Sequence, residues 1–179
     1  MKITTRIIPC MALVAMLFIA ADSYAQSKDQ FNDAEVAAIA VTANDIDIKY
    51  AEIAKEKSKN KEILGFANTM INDHQAVIDQ AVALVTKLKV EPQANALSKK
   101  LNADAKETRK MLLSKEGKAF DEAYINNEVA YHKAVIGTVR DVLIPDTENK
   151  QLKELLEAVL PALEAHLEHA ESIQKEIAG

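Results

Sequence analysis

Several residues able to ligate a metal fall where the sequence calls for apolar side chains. Ile63, Ala67, Met70, His74, Val77, Ala81, Leu84 and Leu88 recur alternately three and four residues apart, so they share one face of one helix. His74 is the only ionisable member of that series. Asp47 interrupts Val36, Ala40, Ala43, Tyr50 and Ala54 in the same way. Glu128 and His132 interrupt Ile125, Val135, Val139 and Val142, and His166 interrupts Leu152, Leu156, Val159, Leu163, Ala170, Ile173 and Ile177. Burying an ionisable group among apolar neighbours costs free energy unless something pairs with it. Imidazole nitrogens and carboxylate oxygens are ligands that zinc, iron and copper(II) accept. Glu128 and His132 stand one turn apart, a usable chelating spacing on a single helix. One such residue alone is more often a core side chain that has found a hydrogen bond. Its recurrence on four helices points to one shared site for one transition-metal ion (Zn, Fe or Cu) held by His74, His132 and His166, with Asp47 or Glu128 completing the shell.

Neighbouring residues carry weaker signals. Tyr50, Tyr124 and Tyr131 are candidates for hydrogen bonds to the site from behind its ligands, although core filling with a hydroxyl at the edge is the favoured role. His169, one turn beyond His166, reads as exposed. Asp73 adjoins His74 but points some 100° away around the helix, which predicts a surface position. Met70 and Met111 read as packing residues.

The elements that must position these groups are helices. The chain has only four Gly and four Pro among 179 residues while 49% are hydrophobic, too few breakers for a strand-rich fold. No Gly-rich phosphate loop is present. A first helix is predicted from a capping box at Ser27-x-x-Gln30 to about Lys57. Asn60 caps a second, which runs from Lys61 to about Val90 and stops before Pro92. Residues 93–118 form a Lys-rich surface helix acting as a crossover, which Gly117 ends. A third long helix runs from about Ala119 to Ile144, and Asp146 or Thr147 caps the fourth. Pro161 lies inside the fourth, where the stripe keeps its phase, which predicts a kink rather than a break. The expectation is a four-helix bundle with one extra helix in the connection between bundle helices two and three.

Residues 1–25 read as a secretory signal peptide: Lys2 and Arg6, an apolar run over 7–21, then Ser23-Tyr24-Ala25. The domain proper is then 26–179, without a transmembrane span. Cys10 lies in the leader, so the remainder has no thiol. Lys2, Arg6 and Asp22 together carry +1, so removing them takes the formal charge from −5 to −6. An acidic exported domain is a poor partner for nucleic acid or anionic lipid. A protein partner and a homo-oligomer both stay open.

The motifs Phe66-Ala-x-x-Met70-x-x-Asp73-His74, Ala119-Phe120-Asp121-x-x-Tyr124 with His132, and Leu160-Pro161-x-Leu163-x-x-His166-Leu167-x-x-Ala170 resemble the bacterial domain of unknown function 4142 family, part of the ferritin-like superfamily. The resemblance covers about residues 29–175. It implies a ferritin-like bundle with a long second connection, and periplasmic or outer-membrane residence. The acidic position of the first helix matches Asp47, where a longer Glu is the expected residue. Di-iron carboxylate enzymes of that superfamily need two Glu-x-x-His motifs and two further glutamates. No Glu-x-x-His occurs here, since residues 71, 129 and 163 are Ile, Val and Leu. The favoured reading is therefore metal binding or protection in the envelope rather than turnover. The rivals are a metal-free structural or interaction module and, last, a small hydrolytic or redox enzyme with an open metal position.

Overall fold

The computed structural model describes residues 30–178, and the predicted leader and Ser27 lie outside them. Helix α1 (Asp33–Lys57) opens on a capping box closer to its first apolar residue than the one expected at Ser27. Glu35 N donates to Asn32 Oδ1 at 3.0 Å, and Asn32 N donates to the Glu35 carboxylate at 3.1 Å. Helix α2 (Lys61–Leu88) is capped by Asn60 as predicted, with Glu62 N donating to its Oδ1. Helix α3 (Ala96–Leu113) is the connecting helix. Gly117 does not end it. Ser114 does, and Gly117 opens α4 (Gly117–Thr138) at φ +53°, a conformation that glycine adopts without strain.

Helix α4 continues without a break through a π-helical segment, Val139–Leu143, and a single turn, α5 (Ile144–Asp146). Helix α6 (Lys150–Ala178) follows. Its cap is neither Asp146 nor Thr147 but Asn149, whose Oδ1 accepts from Gln151 N and Leu152 N at 2.9 and 3.2 Å. Asp146 instead accepts from Phe31 N, and the Thr147 hydroxyl donates to the Leu143 carbonyl. The α6 helix runs through the exposed Pro161 as one element, so its apolar stripe keeps phase as predicted. No helix among the described residues is long and apolar enough to cross a membrane.

Contacts at the two ends give the helix directions. Lys57 at the end of α1 binds the Leu113 carbonyl and the Glu116 carboxylate at the entry to α4. Asp33 at the start of α1 accepts from Glu148 N and Asn149 N, beyond α5. Thus α1 and α4 are antiparallel. The three-residue link 58–60 makes α1 and α2 antiparallel as well, so α2 and α4 run the same way. The chain must travel the bundle's full length between them. Helix α3 makes that journey along α1, from the Gln93 N to Ala34 carbonyl bond at one end to Lys57 and Leu113 at the other. This is an all-α, four-helix bundle with one crossover.

Two apolar clusters fill the interior. One contains Ile46, Tyr50, Phe66, Met70, Phe120, Tyr124, Ile125 and Ile173. The other contains Val36, Ile39, Ile136, Val139, Leu143, Leu152, Leu156 and Leu163. Between them along the bundle lie the buried polar residues Asp47, His74, Glu128, His132 and His166. Phe66 is 0% exposed, whereas Val82 on the same helix is 49% exposed. Phe66→Ala should cost about 3–5 kcal/mol of stability, and Val82→Ala about 0.5 kcal/mol or less, read as urea midpoints.

Candidate metal centre

The five predicted residues come together in one layer. The imidazole rings of His74, His132 and His166 form a nearly equilateral triangle with centroids 5.8, 5.4 and 5.5 Å apart. One ligand atom from each lies within 4.8 Å of the others, and Asp47, Glu128 and His132 satisfy the same condition. Asp47 and Glu128 are 0% exposed and the three histidines at most 7%.

Each imidazole has one nitrogen committed and one free. His74 Nδ1 bonds Asn44 Oδ1 at 2.7 Å, and Asn44 Nδ2 donates to the Ala40 carbonyl, which sets the amide so that His74 must donate. His132 Nδ1 donates to the Glu128 backbone carbonyl at 3.0 Å, one turn earlier. His166 Nε2 donates to the Asp73 carboxylate at 2.9 Å. The protons therefore sit on Nδ1, Nδ1 and Nε2. The remaining nitrogens, His74 Nε2, His132 Nε2 and His166 Nδ1, are buried bare lone pairs without a hydrogen-bond partner. Asp47 turns its Oδ2 toward two of them, at 3.1 Å from His74 Nε2 and 3.5 Å from His132 Nε2. Two lone pairs at such distance repel unless a cation lies between them. Ligand atoms on one tetrahedral ion with bonds of about 2.0–2.1 Å stand about 3.3 Å apart. The donor set therefore fits a transition-metal ion.

The electrostatics have the same sense. Burial alone would raise the Asp47 pKa, but the His74 and His132 imidazoles and the contact with His74 outweigh it and hold the carboxyl below its ordinary value. Burial and then the Asp47 charge push the Glu128 carboxyl well above its own. Burial lowers both His132 and His166 and keeps them neutral. The layer thus sets the Asp47 carboxylate beside two imidazoles, His132 and His166, that burial biases toward the neutral form.

The tyrosines lie close by but do not orient the ligands. Tyr131 donates to the Ala43 carbonyl and packs edge-on against Tyr50, while Tyr124 stacks on Phe120 with its hydroxyl unpartnered. Asp73, expected at the surface, has a side chain 51% exposed yet holds His166. The 100° turn from His74 carries it to the flank of α2 that faces α6. Asn44 is absent from the residues the sequence marks out. It lies one turn before Asp47 on α1, and that spacing is the one signal that could have suggested it. His169 is exposed, its ring edge-on to Phe66, and Met70 is core. Met111 is 38% exposed rather than packed inside.

Residues 20–173 match the family model described as Domain of unknown function (DUF4142). The chain belongs to this family. This DUF4142 protein also shares its fold with a solved structure described as CopM in the Cu(II)-bound form. The two are 16% identical with a TM-score of 0.63, and the match covers 82% of this chain and 98% of that chain. No curated relative matches the sequence.

The pKa directions predict a pH dependence of the metal-free protein. His132 and His166 are depressed below their ordinary 6.5, so the unfolded chain takes up protons before the folded one as pH falls. Their contribution to stability is full above about 6.5 and is lost on acidification through the folded-state values. Glu128 is raised and has the opposite sign: its contribution is lost as pH rises above about 4.5. Glu128→Gln removes the opposing group. Its urea midpoint should therefore fall more steeply than the wild type's between about pH 7.5 and 5.5. Parallel curves would contradict the assignment.

Proposed function

We propose that the protein is an exported binder of one transition-metal ion, copper(II) foremost, serving to hold or sequester it in the cell envelope. The observation that carries this reading is the set of three buried imidazole nitrogens with bare lone pairs beside an ionised, buried carboxylate. His74 Nε2, His132 Nε2, His166 Nδ1 and Asp47 Oδ2 would hold the ion. Asn44, the Glu128 carbonyl and Asp73 keep each ring turned so that its free nitrogen faces inward, the usual arrangement behind ligating histidines. Copper is preferred for two reasons. Nitrogen and oxygen donors bind copper(II) most tightly among divalent first-row ions, and CopM, of the same fold, holds Cu(II). Export is supported by the basic start, apolar run and Ser23-Tyr24-Ala25 of the leader.

One observation favours a metal-free module. His74 Nε2 and Asp47 Oδ2 at 3.1 Å would make a buried ion pair if a proton lay between them. That proton serves one nitrogen and leaves His132 Nε2 and His166 Nδ1 unpaired, whereas one ion serves all three.

Elemental analysis of protein purified without an affinity tag or chelator from copper-supplemented medium decides between these readings. The expected result is near-stoichiometric copper in the wild type and none in His132→Ala. Asp73→Asn should weaken affinity about 10–100-fold, while Glu128→Gln, whose side chain is not among these four ligands, should leave it nearly unchanged. Equal traces in the wild type and His132→Ala, together with a loss of about 3–5 kcal/mol in His74→Ala, would establish the metal-free reading.

A further inference from the structure

The metal layer forms one end of a partly open cavity of about 450 Å³ lined by α1, α2, α3, α4 with its π-helical extension, and α6. Asp47, His74, His132 and His166 all border it, whereas Glu128 does not. The site is therefore one-sided: an ion held there is closed off toward Glu128 and faces the cavity. Away from the histidines the walls are mainly aliphatic, including Ile39, Ala81, Val135, Leu143, Leu156 and Val159, with Gln80, Asp104 and Thr138 among them. The space exists because α1 and α2 present alanines at 37, 40, 43 and 81, too short to reach across the bundle. Its size falls within the range of about 300–1,000 Å³ typical of small-molecule sites, which pair an apolar wall with a few convergent polar groups.

The lining selects among occupants. Apolar cavities of this kind stay dry and take up apolar ligands. The sole aromatic ring of the wall besides the histidines is Tyr131, at the polar end and tied through its hydroxyl to Ala43. A flat ring system would find no stacking partner along the rest of its length, whereas a flexible hydrocarbon chain meets mainly methyl and methylene groups. The polar end selects the head. Without a cation, Asp47 would repel a carboxylate. Three neutral imidazoles and Asp47 around a divalent ion leave one net positive charge, which an anionic oxygen on the cavity side would neutralise.

We propose that the cavity binds a single-chain aliphatic carboxylate, its hydrocarbon tail between α1, α2, α4 and α6 and its carboxylate on the ion at the histidine end. The choice of head rests on the metal reading above; the choice of tail rests on the cavity alone.

The test is titration of dodecanoate, followed by calorimetry and native mass spectrometry, into copper-loaded and metal-free protein whose copper content is measured in the same samples. Acetate and dodecan-1-ol serve as head-only and tail-only probes. Ala40→Phe/Ala81→Phe fills the aliphatic end of the cavity, away from Asp47 and His74. Val159→Phe repeats the test should that pair lose its helical circular dichroism. The expected result is one dodecanoate per loaded wild-type chain, bound about tenfold or more tighter than by metal-free protein. The filled variant should keep its copper and lose dodecanoate. Failure of loaded wild type to bind, equal binding by the filled variant, or acetate binding as tightly as dodecanoate would each overturn the proposal. If no copper is taken up, the metal reading has failed on its own. Stoichiometric dodecan-1-ol binding that disappears in the filled variant would then still support the tail site, and its absence would overturn that too.

Discussion

A carboxylate that stays charged in the dry centre of a helical bundle is the constraint on which the rest of this structure depends. Asp47 is fully buried and neither of its oxygens receives a hydrogen bond. Removing such a charge from water costs several kcal/mol even after relaxation, so something positive must compensate it. Burial and the Asp47 charge raise the pKa of Glu128, the other buried acid, and burial lowers those of His132 and His166.

The bundle's connectivity serves this arrangement. One crossover along α1 lets α2 and α4 run in the same direction, which puts ligand-type residues of four helices at one level. An apolar cluster packs on each side of that level. Low dielectric on both sides strengthens any ion–ligand attraction at that level. The hydrogen bonds behind the rings matter for the same reason. Asn44, the Glu128 carbonyl and Asp73 each remove one of two tautomers, so the free nitrogens converge before any ion arrives. His166 is the exception among the three, presenting Nδ1 where the others present Nε2. Asp73 reaches it from the rim of α2, so its Nε2 is the nitrogen nearer the surface.

The ligand layer is legible in the sequence because helical periodicity is strict: a residue on an apolar stripe is inside, whatever its chemistry. That reasoning locates Asp47, His74, Glu128, His132 and His166. It does not find Asn44, and it places Asp73 outside, because a helix in a bundle touches two neighbours and its flank toward the second is not marked by hydrophobicity. Boundaries are less legible where two nearby residues offer the same chemistry. Asn32-x-x-Glu35 displaces Ser27-x-x-Gln30 as the capping box, Asn149 displaces Asp146 and Thr147 as a cap, and Gly117 opens a helix rather than closing one. The cavity is invisible in the sequence because alanines on a stripe read as core. They leave a space when the helices facing them carry no larger group to fill it.

Nitrogen-15 NMR of the ring nitrogens in uniformly labelled, metal-free protein at neutral pH would test the central claim most directly, because the tautomers can be read before any ion is added. The structure requires His74 and His132 to carry their proton on Nδ1 and His166 on Nε2. The three bare nitrogens should then shift on addition of one equivalent of a diamagnetic ion such as zinc. A cationic His74, rapidly exchanging tautomers at all three rings, or ring signals indifferent to zinc would contradict it and leave a buried ion pair in place of a metal site.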